Sequence, residues 1–225
     1  MIQLSEGGCI KLRKYALKLI VMVLAVCVIM SMAAVPEVYA DEYEDTDTYT
    51  VRSGDTLWLI SRKYQVGLYE LIAANPQIKN PDLIYPGDIV YVPLFSTVKR
   101  IEQEVIRLVN IERVNHGLKP LAHNWELSRI ARYKSEDMRD RRYFSHQSPT
   151  YGSPFDMIRA FGLRYSAAGE NIAAGQPTAQ SVVQAWMNSP GHRANILNES
   201  YTEIGVGYCS GGSMGHYWTQ MFIRP

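Results

Sequence analysis

The chain predicts an α+β protein built in two unequal parts. Three observations carry this. A stretch from Thr48 to Pro93 patterns as strand, helix, helix, strand; a later stretch shows apolar residues at helical spacing three times; and near the C-terminus the period drops to two. A length of 225 residues leaves room for one or two domains.

Taken in order, Lys11, Arg13, Lys14 and Lys18 precede an apolar run from Leu19 to Val35, and Val38-Tyr39-Ala40 offers small residues suited to cleavage. That layout reads residues 1–40 as a secretory signal or, left uncleaved, as an N-terminal anchor with its basic end inside; both export the rest of the chain. Residues 41–47 are acidic and aperiodic, the pattern of a solvated spacer.

The first module spans 48–93. Tyr49-Thr50-Val51 is β-rich, and Ser53-Gly54-Asp55 is turn chemistry with Asp55 suited to cap a helix. Leu57, Ile60 and Tyr64 recur at helical spacing; Leu68, Leu71 and Ile72 form a second short face that stops near Asn75-Pro76, because proline disfavours helix in the residue before it. Tyr85-Pro86-Gly87-Asp88 turns into a last strand, Ile89 to Val92, closed by Pro93. Trp58 and Tyr69 carry flat rings that could stack on a ligand such as a sugar, but at helical positions they are expected as core or partly covered surface.

A short linker, 94–100, leads to a second domain over 101–225. Val98, Ile101, Val105, Leu108 and Val109 make one helical face ending before His116-Gly117. Leu127, Ile130, Ala131 and Met138 make a second, and Ala179, Val182, Val183 and Trp186 a third. Ile204, Val206 and Tyr208 then alternate, a glycine-rich turn comes next at 210–215, and 216–223 reads as the partner strand. The expectation is a small antiparallel sheet with helices outside it.

Charge and cysteine content narrow the function classes. Lys and Arg number 23 against 22 Asp and Glu, and the balance stays near neutral without residues 1–40. No basic stripe interleaves with aromatics, so no nucleic-acid partner is expected. Membrane contact is expected only through an uncleaved N-terminal segment. Cys9 and Cys27 lie in the leader, so a cleaved product keeps only Cys209, which excludes an internal disulfide and leaves an intermolecular one open.

Residues 48–93 resemble a LysM domain from end to end. The resemblance implies a βααβ fold that binds N-acetylglucosamine-containing glycans such as peptidoglycan. It places the sugar groove between two loops, here Gly54, Asp55, Thr56 and Leu57 facing Pro81, Asp82, Leu83, Ile84 and Tyr85. Chemically, backbone groups in a shallow groove suit an N-acetyl amide, and an apolar patch suits its methyl.

In the second domain, Asn110-Ile111-Glu112-Arg113, Tyr143-Phe144-Ser145-His146, Gly169-Glu170-Asn171-Ile172, Ser189-Pro190-Gly191-His192-Arg193 and Ile204-Gly205-Val206-Gly207 occur in an order that resembles the CAP superfamily (cysteine-rich secretory proteins, antigen 5, pathogenesis-related 1). The resemblance implies an α-β-α sandwich with a cleft holding two histidines and two acidic residues. His146, Glu170 and His192 match three of these. The fourth position is Ser189, a departure that weakens metal and catalytic readings, with Glu203 as a candidate substitute. His216 is read as an ordinary strand residue. Two imidazoles and a carboxylate suit a divalent ion such as zinc, or acid–base work, and equally a hydrogen-bonded network that fixes loops. No H-E-x-x-H motif is present, and although Ser145 and Ser189 lie near histidines in sequence, adjacency alone does not orient a hydroxyl toward a base. The function expected is an exported, non-catalytic protein of the cell wall or spore envelope, tethered to glycan through the first module, with a binding or assembly role for the second. The alternative is a wall-directed hydrolase or protease working through His146, Glu170 and His192.

Overall fold

The computed structural model describes residues 45–225. The expected signal or anchor, and the start of the expected spacer, lie outside the described residues.

Strand β1 (Thr46–Thr50) pairs antiparallel with β2 (Ile89–Pro93), Thr46 opposite Pro93 and Thr50 opposite Ile89. Pairing thus begins inside the stretch read as spacer. The cause is local: Asp45 accepts from Leu94 N at 3.0 Å through its carbonyl and from Ser96 N at 3.2 Å through its carboxylate, which draws the acidic segment onto the sheet. Between the strands lie α1 (Leu57–Tyr64) and α2 (Leu68–Ala73). Thr56 rather than Asp55 caps α1, its hydroxyl accepting from Leu59 N at 3.1 Å. Asp55 instead ties the entering turn, accepting from Tyr49 OH at 2.7 Å and Arg52 N at 2.8 Å. Tyr49, Val51, Leu57, Ile60, Leu71, Val90 and Val92 are buried and make the small core. Asn75, also buried, bonds Leu71 O and both backbone groups of Tyr91, so one amide locks α2 to β2.

The expected linker is shorter than 94–100, because only Leu94 and Phe95 separate Pro93 from α3 (Ser96–Asn115). There follow β3 (Ala122–His123), α4 (Trp125–Asp140), α5 (Pro154–Ala160), β4 (Ala167–Ala174), α6 (Ala179–Asn188), α7 (Pro190–Ile196), β5 (Glu203–Ser210) and β6 (His216–Arg224). The sheet order is β3-β5-β6-β4. The expectation of a purely antiparallel sheet is corrected at one edge, where β3 runs parallel to β5. Its two residues are aligned when Asn124 N donates to Ile204 O as the chain enters α4.

Both faces of β5 and β6 are covered, which gives the α-β-α sandwich. Ile204, Val206, Trp218 and Phe222 pack with Val105, Val109, Val182 and Trp186 of α3 and α6. Met221 and Ile223 pack with Leu127, Ile130, Met157 and Ile158 of α4 and α5. The intervening Gly205 and Gly207 face α4 so closely that an added Cβ would overlap the backbone of Leu127–Ser128 or Ala131–Arg132. The unpaired edge of β5 is closed by side chains: Val206 N donates to Ser128 Oγ and Tyr208 N to Glu102 Oε1, each at 3.1 Å. Glu102 is buried and held by Arg132 in a two-pronged pair at 2.9 and 2.6 Å.

Candidate functional site

Two of the concave sites on this frame hold the residues expected from the sequence. The first is a groove of about 200 Å³ in the small module. One wall is Asp55, Thr56, Leu57 and Trp58, the other Pro81, Asp82, Leu83 and Ile84, with Leu68 and Ile72 as the floor. The two expected loops therefore meet, while Gly54 and Tyr85 lie just outside the lining. Tyr85, Leu83 and Trp58 are all exposed, Trp58 by 57%. Against the expectation of cover, Trp58 and Tyr69 both stand exposed, because the short α1 and α2 bury only one stripe each against a small core. The second loop is shaped by Asn80, which accepts from Asp82 N at 3.1 Å through its side chain and from Leu83 N at 3.0 Å through its carbonyl. Backbone hydrogen bonding from Arg52 and then the Tyr49 hydroxyl hold the Asp55 carboxyl below its usual value.

The second site is a cleft of about 720 Å³ in the larger module. His146, Glu170 and His192 line it, brought together from three elements: the loop after α4, strand β4 and helix α7. His146 Nδ1 and Glu170 Oε1 are 2.6 Å apart. The Glu170 side chain is almost wholly buried, whereas that of His146 is half exposed. Burial raises the Glu170 carboxyl above its usual value, against the opposing pull of the His146 hydrogen bond and the Lys134 charge. His192 is held below the ordinary imidazole value by burial and then by facing His146. When Glu170 is ionised it accepts from Nδ1–H, so the neutral His146 ring presents Nε2 as an acceptor. Glu170 Oε2 is buried with no hydrogen-bond partner among the described residues.

Two other expected members lie elsewhere. Ser189 sits at the junction of α6 and α7, serving as the end of one helix and the cap position of the next. Glu203 starts β5, where its carboxylate accepts from Asn124 Nδ2 at 2.7 Å. Neither lines the cleft. Among the described residues, no group of three His, Cys, Asp or Glu side chains is placed to hold a metal ion. Glu170 spends one oxygen on His146 and keeps the other, Oε2, without a hydrogen-bond partner among the described residues. The chemistry the cleft supports is hydrogen bonding and proton holding by a buried carboxyl coupled to an imidazole.

Residues that sequence reasoning passed over hold this arrangement. Lys134 is buried and donates to the His146 carbonyl at 2.9 Å and to Tyr143 OH at 3.1 Å. Asp137 accepts from Tyr143 OH at 2.6 Å, from Ser148 Oγ at 2.7 Å and from Thr150 Oγ1. Burial works against its charge, but those three hydroxyls outweigh it and hold the carboxyl below its usual value. Asn195 donates to the Glu170 carbonyl and to Asn171 Oδ1, fixing α7 against β4. His216 stacks on Tyr208 and bonds its hydroxyl at 2.9 Å, outside both sites. Cys209 is a buried free cysteine in β5, where burial first pushes its thiol up to about 12.

Comparison with known proteins places both modules. Residues 106–222 match the family model for the cysteine-rich secretory protein family (CAP), and residues 49–93 match the LysM domain model. The protein YkwD of Bacillus subtilis (strain 168) is 59% identical over 128 residues, which cover 57% of this chain and 49% of that protein. The secreted LysM effector ECP6 of Passalora fulva is 53% identical over 47 residues, 21% of each chain. A crystal structure of an extracellular protein containing a SCP domain from Bacillus anthracis superposes with a TM-score of 0.52 at 38% identity, covering 62% of this chain and 47% of that one. The chain thus spans half or less of the length of these relatives.

Proposed function

The chain belongs to the cysteine-rich secretory protein family and carries a LysM carbohydrate-binding domain ahead of that module; from this premise we propose that it is an exported, glycan-tethered protein of the cell wall or spore envelope. The LysM groove takes N-acetylglucosamine residues of peptidoglycan or a related glycan. The CAP module, held beside it, supplies a binding or assembly function through its cleft. The observation that carries the reading is the groove itself, where two loops face each other across an apolar floor and large apolar side chains at its rim stand in water without contributing to the core. A shallow groove of this size buries little ligand, so a single site binds weakly and a repetitive wall compensates through many contacts.

Sedimentation with purified peptidoglycan tests it. Wild type is expected in the pellet and Trp58→Ala/Leu83→Arg in the supernatant, both residues being exposed so that the fold survives. Equal retention of the two proteins refutes the tether.

One observation favours a second reading, a wall-directed hydrolase or protease. Glu170 is buried, its carboxyl is raised and it is coupled to His146, an arrangement suited to general acid–base work. Release of soluble fragments from labelled peptidoglycan or a protein substrate, lost in Glu170→Gln, would select this reading; no release by wild type removes it.

A further inference from the structure

We infer that the glycan site does not stop at the edge of the LysM module but continues across Arg62 onto Trp125 of the CAP module, where a chain longer than the groove finds a second contact. The inference rests on the glycan reading above and extends it to a residue of the other module.

Trp58 lines the groove and stands exposed at its rim. One turn later on α1, the Arg62 guanidinium lies 6.0 Å from the Trp58 ring centroid and 5.1 Å from that of Trp125, the first residue of α4. Glu126 forms an ion pair with the same guanidinium. A single cation therefore joins an indole on the groove rim to an indole on the neighbouring module. The Arg62 and Glu126 side chains keep 43% and 32% of their surface in water, so this pair contributes little to folding stability.

Its composition suits a sugar chain. Indole rings take the C–H face of a pyranose, while a guanidinium and a carboxylate meet its hydroxyl and N-acetyl groups at the edge. The track is also fixed in space. Lys99 Nζ donates to Tyr64 O at 3.4 Å, Glu70 lies 3.7 Å from Arg129, and Arg132 stacks on Phe95, contacts that join the module carrying Trp125 to the one carrying the groove. The distance between the two rings is bounded by the two stacking distances, a span of a few sugar residues at most.

The test is calorimetric titration of the full chain with a chitin trisaccharide and a chitin octasaccharide. Wild type is expected to bind the longer oligomer more tightly than the shorter. Trp125→Ala is expected to bind the trisaccharide as wild type does and to lose about tenfold for the octasaccharide, the worth of one aromatic contact, with Trp125→Phe restoring most of it. Trp58→Ala weakens both. Thermal melts of each variant establish that it is folded. An unchanged octasaccharide affinity in Trp125→Ala overturns the inference. So does an equal loss for both lengths, because Trp125 would then act through the shape of the groove and not by touching sugar. If wild type binds the trisaccharide without any gain from length, the track alone falls; if it binds neither, the glycan reading falls and takes the track with it.

Discussion

At Lys134 an ammonium group has left water and met no carboxylate directly: it donates instead to the Tyr143 hydroxyl and the His146 carbonyl. Burial lowers its pKa, and the nearby Glu170 and Asp137 charges partly offset that. Replacing it, as Lys134→Met, leaves two polar groups short of a donor and is expected to cost about 1–3 kcal/mol in chemical denaturation. It should also move the His146 ring resonances in NMR spectra at fixed pH, since the loop carrying that ring loses its strut; unmoved resonances would make Lys134 a packing residue only. The sequence held a clue, for Lys134 shares the helical stripe of Leu127, Ala131 and Met138, yet a lysine there reads as solvated until its acceptors are seen. Glu136 gives a pH prediction. Burial lifts its carboxyl to about 7, with Arg132 and Arg139 opposing and Asp140 and Glu70 reinforcing. The folded state then holds a proton that the unfolded state has released between about pH 4.3 and 7, so this group erodes stability as pH rises through that window. Glu136→Gln should flatten the fall in Tm across it and raise Tm by several degrees at pH 8. Parallel profiles for the two proteins would remove Glu136 from the account.

Among the elements, β5 shows how sequence period and packing combine. Ile204, Val206 and Tyr208 alternate because they face α3 and α6, and the glycines between them exist because α4 lies against the strand there. Gly207→Ala has the backbone of Ala131 and Arg132 in its way, so neither partner can yield by a rotamer change; a loss of about 3 kcal/mol or more is expected by thermal or urea unfolding. Gly191→Ala, with open space around it, serves as the control and should stay within about 0.5 kcal/mol of wild type. The long helices and β5–β6 were legible because each has a clear apolar period. Strand β4 was not. Its sequence, AAGENIAA, lacks a run of β-branched or aromatic residues, and it becomes a strand because β6 pairs along its whole length. The Gly-Glu-Asn motif is thus recognisable while its secondary structure is not. The cleft was legible to the same degree: three of its polar residues follow from motif order, whereas the places of Ser189 and Glu203 depend on tertiary turns that no local pattern encodes.

For the whole molecule, the decisive region is the join at Leu94-Phe95. Phe95 adopts φ of 53°, a left-handed conformation that a bulky residue takes only at a cost of about 1–3 kcal/mol. Packing on both sides offsets it, since Phe95 lies against the LysM core and beneath the Arg132 guanidinium, which is itself locked to buried Glu102 in the CAP module. Such a short, strained and doubly packed connection is expected to make the two modules unfold as one cooperative unit, in contrast to beads on a flexible linker. Differential scanning calorimetry is expected to give one endotherm in which calorimetric and van't Hoff enthalpies agree. Phe95→Ala, which takes packing from both modules at once, should lower that endotherm by several degrees or split it in two, with the LysM module melting first because its core is the smaller. Two resolved transitions in the wild type would show that the seam contacts are incidental. A single transition that Phe95→Ala leaves untouched would place the coupling in the better-buried Glu70–Arg129 pair instead.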